Sequence, residues 1–449
     1  MSLDLTLIDF PASLNPDQIE VLPSYTSITT PPLLTAPQIA TAYNIPPGNG
    51  AGVKVGIISL GGGFSPTDLN TSMANLGLTT GNVTFVGVDG ATNDYTGNVY
   101  SADGENALDL VCVAGMVPSA NIVLYKGQNA GVYFSSNINA ANALNSNSSF
   151  GNAIQAAVND NCDVISISWG IYESQTVGNV VSYCGDYLAA PLANAAAKNI
   201  CVFVASGDYG SVATSNASIG INVDYPSASK NVTAVGGTNL TLTVGNTRSG
   251  NETLFNNGSA GGSGGVSLVT PLPSWQANLT YKTYPGNVVT TLAKRGIPDI
   301  SAPFNSYGLW LNGNVYGVNG TSGAAPIMAG MVARFISLNS GRRPPGGSAG
   351  LNSIFYNHTG GFYDITTGNN VVITSPGYTS TVGWDATTGL GPQLNAIATY
   401  QSVTSAGVAI KNSGNTWAPV ANVYVKTVSS WETVEHIWTK TADGWAQTY

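Results

Sequence analysis

At 449 residues the chain is long enough to bury a large core and to hold two or three domains. Only 8% of residues are charged, and 14 Lys+Arg against 23 Asp+Glu leave a net charge of -9. With no basic run to neutralise phosphates, a nucleic-acid partner is excluded. The surface must be built from Ser, Thr, Asn, Gly and Tyr, which change charge little as pH falls and so suit an acid medium.

In chain order, Met1-Ser-Leu-Asp-Leu-Thr lacks the basic start and apolar core of a signal peptide. No stretch reads as long and apolar enough to span a bilayer. Residues 1–45 are Pro-rich and read as an N-terminal arm, with a short capped helix at Thr35-Ala-Pro-Gln-Ile-Ala-Thr-Ala-Tyr43. Val53 to Leu60 is a nearly unbroken apolar strand ending in Gly61-Gly62-Gly63. Further short buried strands are expected at Val83–Val88, Ile122–Tyr125, Val164–Ser168, Cys201–Val204 and Val232–Val235. Helix-length stretches lie between them at Glu105–Met116, Asn152–Val158 and Tyr187–Lys198. Alternation of apolar strands with helices predicts an α/β fold, a parallel sheet covered on both faces. Chemistry in such sheets gathers at the carboxyl ends of the strands.

The four cysteines, Cys112, Cys162, Cys184 and Cys201, show no metal-ligand spacing. Cys112 and Cys201 read as buried thiols, and a Cys162–Cys184 bridge is left open. His358 and His436 are the only histidines, and neither neighbours a nucleophile motif.

Three stretches carry chemistry. Asp103-Gly104-Glu105-Asn-Ala-Leu-Asp109 opens an otherwise apolar helix, and Glu105 and Asp109, four apart, share one face. Paired like charges there raise a carboxyl pKa if the site is buried. The second is Val204-Ala-Ser-Gly-Asp208-Tyr-Gly, an apolar strand ending in a glycine-flanked aspartate. The third is Asn319-Gly320-Thr321-Ser322-Gly323-Ala324-Ala325-Pro326, between short strands in Gly308–Gly320 and an apolar helix. Amides at such a helix start favour negative charge, and Pro326 is placed in the first turn, where its missing N–H costs little. Asn319-Gly-Thr is also one of many sequons, which in so Asn/Ser/Thr-rich a chain carry little weight.

These stretches join an ordered set: Gly104-Glu105-x-x-x-Asp109, Ser166-Ile-Ser-Trp169-Gly170, Ser206-Gly207-Asp208, Ala234-Val-Gly-Gly-Thr238, Pro273-Ser-Trp-Gln276, Pro298-Asp299 and Gly320-Thr-Ser322-x-x-x-Pro326. The set resembles the sedolisins, or serine-carboxyl peptidases, from about residue 35 to about 400. The resemblance implies a subtilisin-like fold and acid-acting endopeptidase activity on polypeptides. It makes Ser322 the nucleophile, Glu105 its general base, Asp109 the group orienting Glu105, and Asp208 the oxyanion-hole acid. A carboxyl base suits the scarcity of histidine, and Asp208 must be protonated to donate. Ser59 stands where some members carry an acid, which would end the proton chain at Asp109. Phe362-Tyr-Asp364-Ile365 and Gly383-Trp-Asp385 resemble the family's calcium site. One structural Ca2+ would be held by Asp364 and Asp385 carboxylates and by carbonyls of Ile365, Thr381 and Gly383. The family is made with a prodomain behind a signal peptide, and neither is read here.

Residues 401–449 stand apart from this peptidase region, 46–400, across a linker-like Ser402-Val-Thr-Ser-Ala-Gly. Trp417, Trp431 and Trp445 recur every fourteen residues, with Lys426/Lys440 and Thr427/Thr441 in phase. Each unit predicts a small β module with turns at Val428-Ser-Ser and Ala442-Asp-Gly. The repeats look like C-terminal modules of tailed-phage virion proteins, which implies an extracellular or virion-associated protein making particle or homo-oligomer contacts through residues 405–449; a plain hairpin extension packing its tryptophans on the catalytic domain is the alternative reading. The rival reading is a virion structural or adhesion protein on a sedolisin-like scaffold.

Overall fold

A computed structural model describes residues 24–27, 33–128, 149–177, 180–183, 188–213, 220–372 and 376–405, and six short strands between 409 and 447. Its centre is a mostly parallel sheet. The strands are β1 (Lys54–Ser59), β2 (Asn82–Gly87), β3 (Asn121–Lys126), β4 (Val164–Ile167), β5 (Cys201–Ala205), β6 (Thr233–Asn239) and β7 (Thr253–Leu254). Their spatial order is β2-β3-β1-β4-β5-β6-β7, with β8 (Ile300–Pro303) running parallel beside β6. β7 is antiparallel. The chain leaves central β1 in one direction for β2 and β3, then crosses to β4 and onward. In such sheets ligands bind in the crevice beyond the carboxyl ends of the strands where the order reverses, here β1 and β4.

Burial on both faces explains the apolar strands. Val55 and Ile57 pack into one core, and Ile58 into the other. One layer holds α1 (Ala36–Ala42), α2 (Pro66–Asn75), α3 (Ala102–Met116), α6 (Thr321–Leu338) and α8 (Ala396–Ser405). The opposite face holds α4 (Ser149–Asn159) and α5 (Ala189–Ala197), while α7 (Gly347–Asn357) joins the first core through Leu351 and Phe355. The expected strand at Val83–Val88 forms, but it is the sheet's edge and is largely exposed, because it has one neighbour instead of two.

α3 and α6 lie side by side against the sheet, and their closeness sets the site. Gly330 permits it: a Cβ there would stand 2.6 Å from Met116 Cβ. α6 is buried from Thr321 to Ile336. By length and hydropathy it is the one helix among the described residues that could cross a membrane, contrary to the expectation that no stretch would. Its apolarity serves burial in the protein instead. The hairpin feeding it is β9 (Tyr307–Leu311) and β10 (Asn314–Asn319), as expected. The expected position of Pro326 is corrected: α6 begins at Thr321, so Pro326 lies inside the helix, beyond the first four orphan N–H groups. The Ser322 carbonyl therefore lacks its i+4 amide donor.

Within the N-terminal arm, α1 lies on the domain: Gln38 Oε1 accepts from Thr35 N at 3.0 Å, and Ile39 and Tyr43 are fully buried. Ser24–Ser27 pairs antiparallel with β10, Ser24 opposite Asn319. The boundary expected at residue 400 falls inside α8, where Tyr400 packs on Phe335 and Val403 joins the core. Beyond it come three antiparallel pairs, Ala409–Lys411 with Trp417–Pro419, Tyr424–Lys426 with Trp431–Thr433, and Trp438–Thr441 with Gly444–Gln447. In each, the repeated tryptophan stands opposite a lysine: Lys411, Lys426 and Lys440. The expected turn at 428–430 and residues 442–443 lie outside the described residues. Cys112, Cys162 and Cys201 are buried free thiols, so Cys162 is not bridged; Cys184 lies outside the described residues.

Candidate active site

Glu105 and Asp109 reach the crevice from the first turns of α3. Ser101 caps this helix by accepting from Asp103 N. Asp103, itself buried, accepts from Gly63 N at 2.8 Å, Thr96 N and Oγ1 at 2.7 Å and Gly97 N at 3.0 Å. Asn106 Nδ2 donates to Gly61 O and Gly63 O, both at 3.0 Å. These bonds strap the loop after β1 to α3. Gly62 takes φ +55°, and a Cβ there would meet Asp103 Oδ1 at 2.4 Å. Ser59 is buried and donates to Gly61 O at 3.0 Å, so it closes the strand end and adds no acid.

Glu105, Asp109 and Ser322 are all fully buried, and Asp208 is 2% exposed. Asp208 follows β5 in a turn packed on the start of α6. Its Oδ1 accepts from Thr321 N at 2.9 Å and Thr321 Oγ1 at 2.7 Å, while Oδ2 has no partner. Gly207 N in turn donates to Thr321 Oγ1 at 3.2 Å. Two donors on Oδ1 leave Oδ2 as the seat of a proton when Asp208 is neutral.

Burial first, then Asp109, pushes the Glu105 carboxyl well above its ordinary range; Asp208 adds to this, and the hydroxyls of Ser322 and Ser168 oppose it. Neither hydroxyl meets full hydrogen-bond geometry to Oε1 or Oε2. Burial also raises Asp109, against a hydrogen bond from Ser168 Oγ to Oδ1 at 2.7 Å. Asp208 is pushed up to about 7 by burial, partly offset by Thr321. The structure brings all four expected residues together, and desolvation raises the pKa of the three carboxyls among them. His358 caps the end of α7 and is not among the groups acting on them; His436 lies outside the described residues.

Two participants escaped the sequence reading, Ser168 and Thr321. Both stand inside quoted motifs and beside a recognised residue, but a hydroxyl's partner is invisible until strands and helices meet.

Two pairs among the expected calcium residues are in contact. Asp364 Oδ2 accepts from Gly383 N at 2.8 Å, and Asp385 Oδ2 accepts from Thr381 N at 2.9 Å. Asp385 Oδ1 accepts from Thr387 N, Thr387 Oγ1 and Thr388 N. Asp385 is buried, which raises its pKa to about 6 against those donors. Among the described residues no cationic side chain pairs with Asp364 or Asp385, and none forms a cluster of three His, Cys, Asp or Glu. Carboxylates without a cationic partner suit a hard, oxygen-seeking cation. Pro298-Asp299 and Gln276 serve the fold instead. Asp299 accepts from buried Arg295 at 2.6 and 2.9 Å and from Ala234 N at 2.8 Å, and Gln276 bonds Gly296 O at 2.8 Å.

Comparison with known proteins gives the family and its relatives. The subtilase family model matches residues 90–349, and the chain belongs to the subtilase family. It is similar to kumamolisin of Bacillus sp. (strain MN-32), 37% identical over 81% of this chain and 62% of the relative. Sedolisin of Pseudomonas sp. (strain 101) is 30% identical over 79% of this chain and 58% of its own length. The chain thus spans about three fifths of these relatives. The solved structure of Pseudomonas sedolisin, a serine-carboxyl proteinase complexed with two molecules of pseudo-iodotyrostatin, superposes with a TM-score of 0.66 at 27% identity, covering 82% of this chain and 98% of that one.

The buried acids dictate how stability varies with pH. Asp208 titrates near 7 when folded and near 3.8 when unfolded, so between these values the folded state holds a proton the unfolded chain has lost. Its stabilising contribution is complete below about pH 4 and is lost as pH rises through about 7, on the order of 4 kcal/mol. Glu105 and Asp109 act in the same direction. Tm is expected to fall from pH 4 to pH 7, and less steeply in Asp208→Asn; equal slopes in scanning calorimetry would refute this assignment.

Proposed function

We propose that this chain is a serine-carboxyl endopeptidase that hydrolyses peptide bonds at acid pH through an acyl-enzyme on Ser322. The observation that carries the reading is Asp208: a buried carboxyl with one oxygen pinned and the other unpartnered, beside the helix that bears Ser322. Kinship with kumamolisin and sedolisin supports it and favours a peptidase over a virion scaffold without activity.

Ser322 Oγ attacks the substrate carbonyl carbon while Glu105, ionised, takes the hydroxyl proton. The carbonyl π bond opens, and Asp208 Oδ2–H donates to the oxyanion. As the tetrahedral centre collapses, Glu105 returns the proton to the departing amine. Water then attacks the acyl-enzyme by the same route, releasing the acid and restoring Ser322. Asp109 stabilises Glu105 through a shared proton, so the two titrate as a pair.

Activity needs the pair to have lost one proton and Asp208 to keep its own. kcat/KM for an unfolded protein substrate is therefore expected to fall as pH rises through about 7. Ser322→Ala should lower it by roughly 10^4-fold or more at the optimum. A bell centred on neutrality, as an imidazole base gives, would sink the mechanism.

We further propose that Asp364 and Asp385, with carbonyls of Ile365, Thr381 and Gly383, hold one calcium ion. The ion would supply the charge that a buried, cation-free Asp385 lacks and fix the loop; chemistry stays with Ser322. Removing it by chelator should lower the stability by the mass-action amount, about 3 kcal/mol for a site held at a hundred times its Kd, and Tm with it. Calcium re-addition should restore Tm, with peptidase activity tracking folded protein. A melting curve indifferent to chelator, with no calcium by elemental analysis, would exclude the ion.

Finally, we propose that residues 405–449 form an attachment module for a particle or a second copy of the chain, on an extracellular or virion-associated protein. The support is the three successive strand pairs, each setting tryptophan opposite lysine; two strands alone are not stable, so their apolar area needs a partner. A chain ending at Ser405 should keep its activity and Tm but lose association in sedimentation. Loss of folding on truncation would make the tryptophans ordinary core.

A further inference from the structure

The clearest group left without a role is Ser168, at the carboxyl end of β4 where the crevice opens. Its side chain is 1% exposed. Oγ donates to Asp109 Oδ1 at 2.7 Å and lies 3.3 Å from the Ser322 carbonyl oxygen. That carbonyl is the one Pro326 deprives of its helical donor. One hydroxyl thus sits between the acid on α3 and the backbone of the nucleophile on α6, and it comes from the sheet, not from either helix. The arrangement depends on Pro326 opening the α6 ladder at that residue. With an ordinary amide there, the carbonyl would be satisfied within its own helix.

We propose that Ser168 is a positioning residue for the peptidase reaction: its hydroxyl ties Asp109 to the Ser322 backbone and holds the Glu105–Asp109 pair in the ionised state that accepts the nucleophile's proton. The inference rests on the serine-carboxyl reading above and assigns that site a further member. A hydroxyl donating to a carboxylate stabilises the ionised form, and inside a dry site no solvent replaces it. The groups acting on the pair are few. Asp208 faces it from the turn after β5 and Ser322 from α6, and Cys112 lies on α3 itself with Tyr307 of β9 behind it. None is basic, so Ser168 and Ser322 are the groups among the described residues that favour charge on the pair.

The test is titration of the pair in the intact protein, read from the C=O stretch of protonated carboxyls by difference infrared spectroscopy, alongside kcat/KM against pH. In Ser168→Ala the midpoint should move up by about one pH unit, and the acid limb of kcat/KM with it. Ser168→Cys, with a weaker donor of similar shape, should move both in the same direction by less, and Ser168→Thr should restore the wild-type midpoint. If Ser168→Ala does not fold, the cysteine variant decides the matter. A folded variant with lower Tm but an unmoved midpoint would reduce Ser168 to a structural hydrogen bond and overturn the proposal. The infrared midpoint does not require turnover. A wild-type protein without peptidase activity would therefore refute the serine-carboxyl reading while the shift still judged Ser168.

Discussion

Everything distinctive in this molecule follows from taking three carboxyl groups out of water without giving them a cation. Glu105, Asp109 and Asp208 are buried together, and among the described residues no lysine, arginine or histidine answers them. Desolvation penalises the charged form, so each keeps its proton to a higher pH than a free carboxyl would. The same cost that makes the site expensive makes it useful. In the proposed reaction a neutral Asp208 donates where a carboxylate would repel, and a half-ionised pair accepts a proton in the place of an imidazole.

The fold carries this cost by over-determining the geometry. Asp103 and Asn106 strap the loop after β1 to the start of α3, and Thr321 fastens Asp208 to the start of α6. The two helices lie close because Gly330 leaves room for Met116. Elsewhere buried charge is handled in the ordinary manner. Arg295 meets Asp299 with two hydrogen bonds, and Arg248 meets Glu252, which also accepts from Tyr43. The contrast separates acids that are neutralised by a partner from acids that are neutralised by a proton.

Much of this was legible beforehand. The apolar runs and their spacing foretold the parallel sheet, because strands buried on both faces leave little choice of residue. The errors are instructive. Val83–Val88 reads as buried, yet it is the edge, since composition does not say how many neighbours a strand has. Pro326 reads as a first-turn residue, but where a helix starts depends on the carbonyls around it. The stretch at Ser402 reads as a linker, while Tyr400 and Val403 are drawn into the core by Phe335 and its neighbours.

The sequence by itself determined the residue types and their order: Glu105 and Asp109 on one helical face, Asp208 at a strand end, Ser322 at a helix start. Helical periodicity and strand alternation are local, so these placements needed nothing from the rest of the chain. Only the tertiary structure decided which groups would meet and which would stay unpaired. Ser168 and Asp109 are 59 positions apart, and Thr321 and Asp208 are 113. Both pairings exist only because the sheet brings the ends of β4 and β5 beneath α3 and α6. The protonation of the site was decided there too, since desolvation belongs to the surroundings a side chain acquires on folding and not to the side chain.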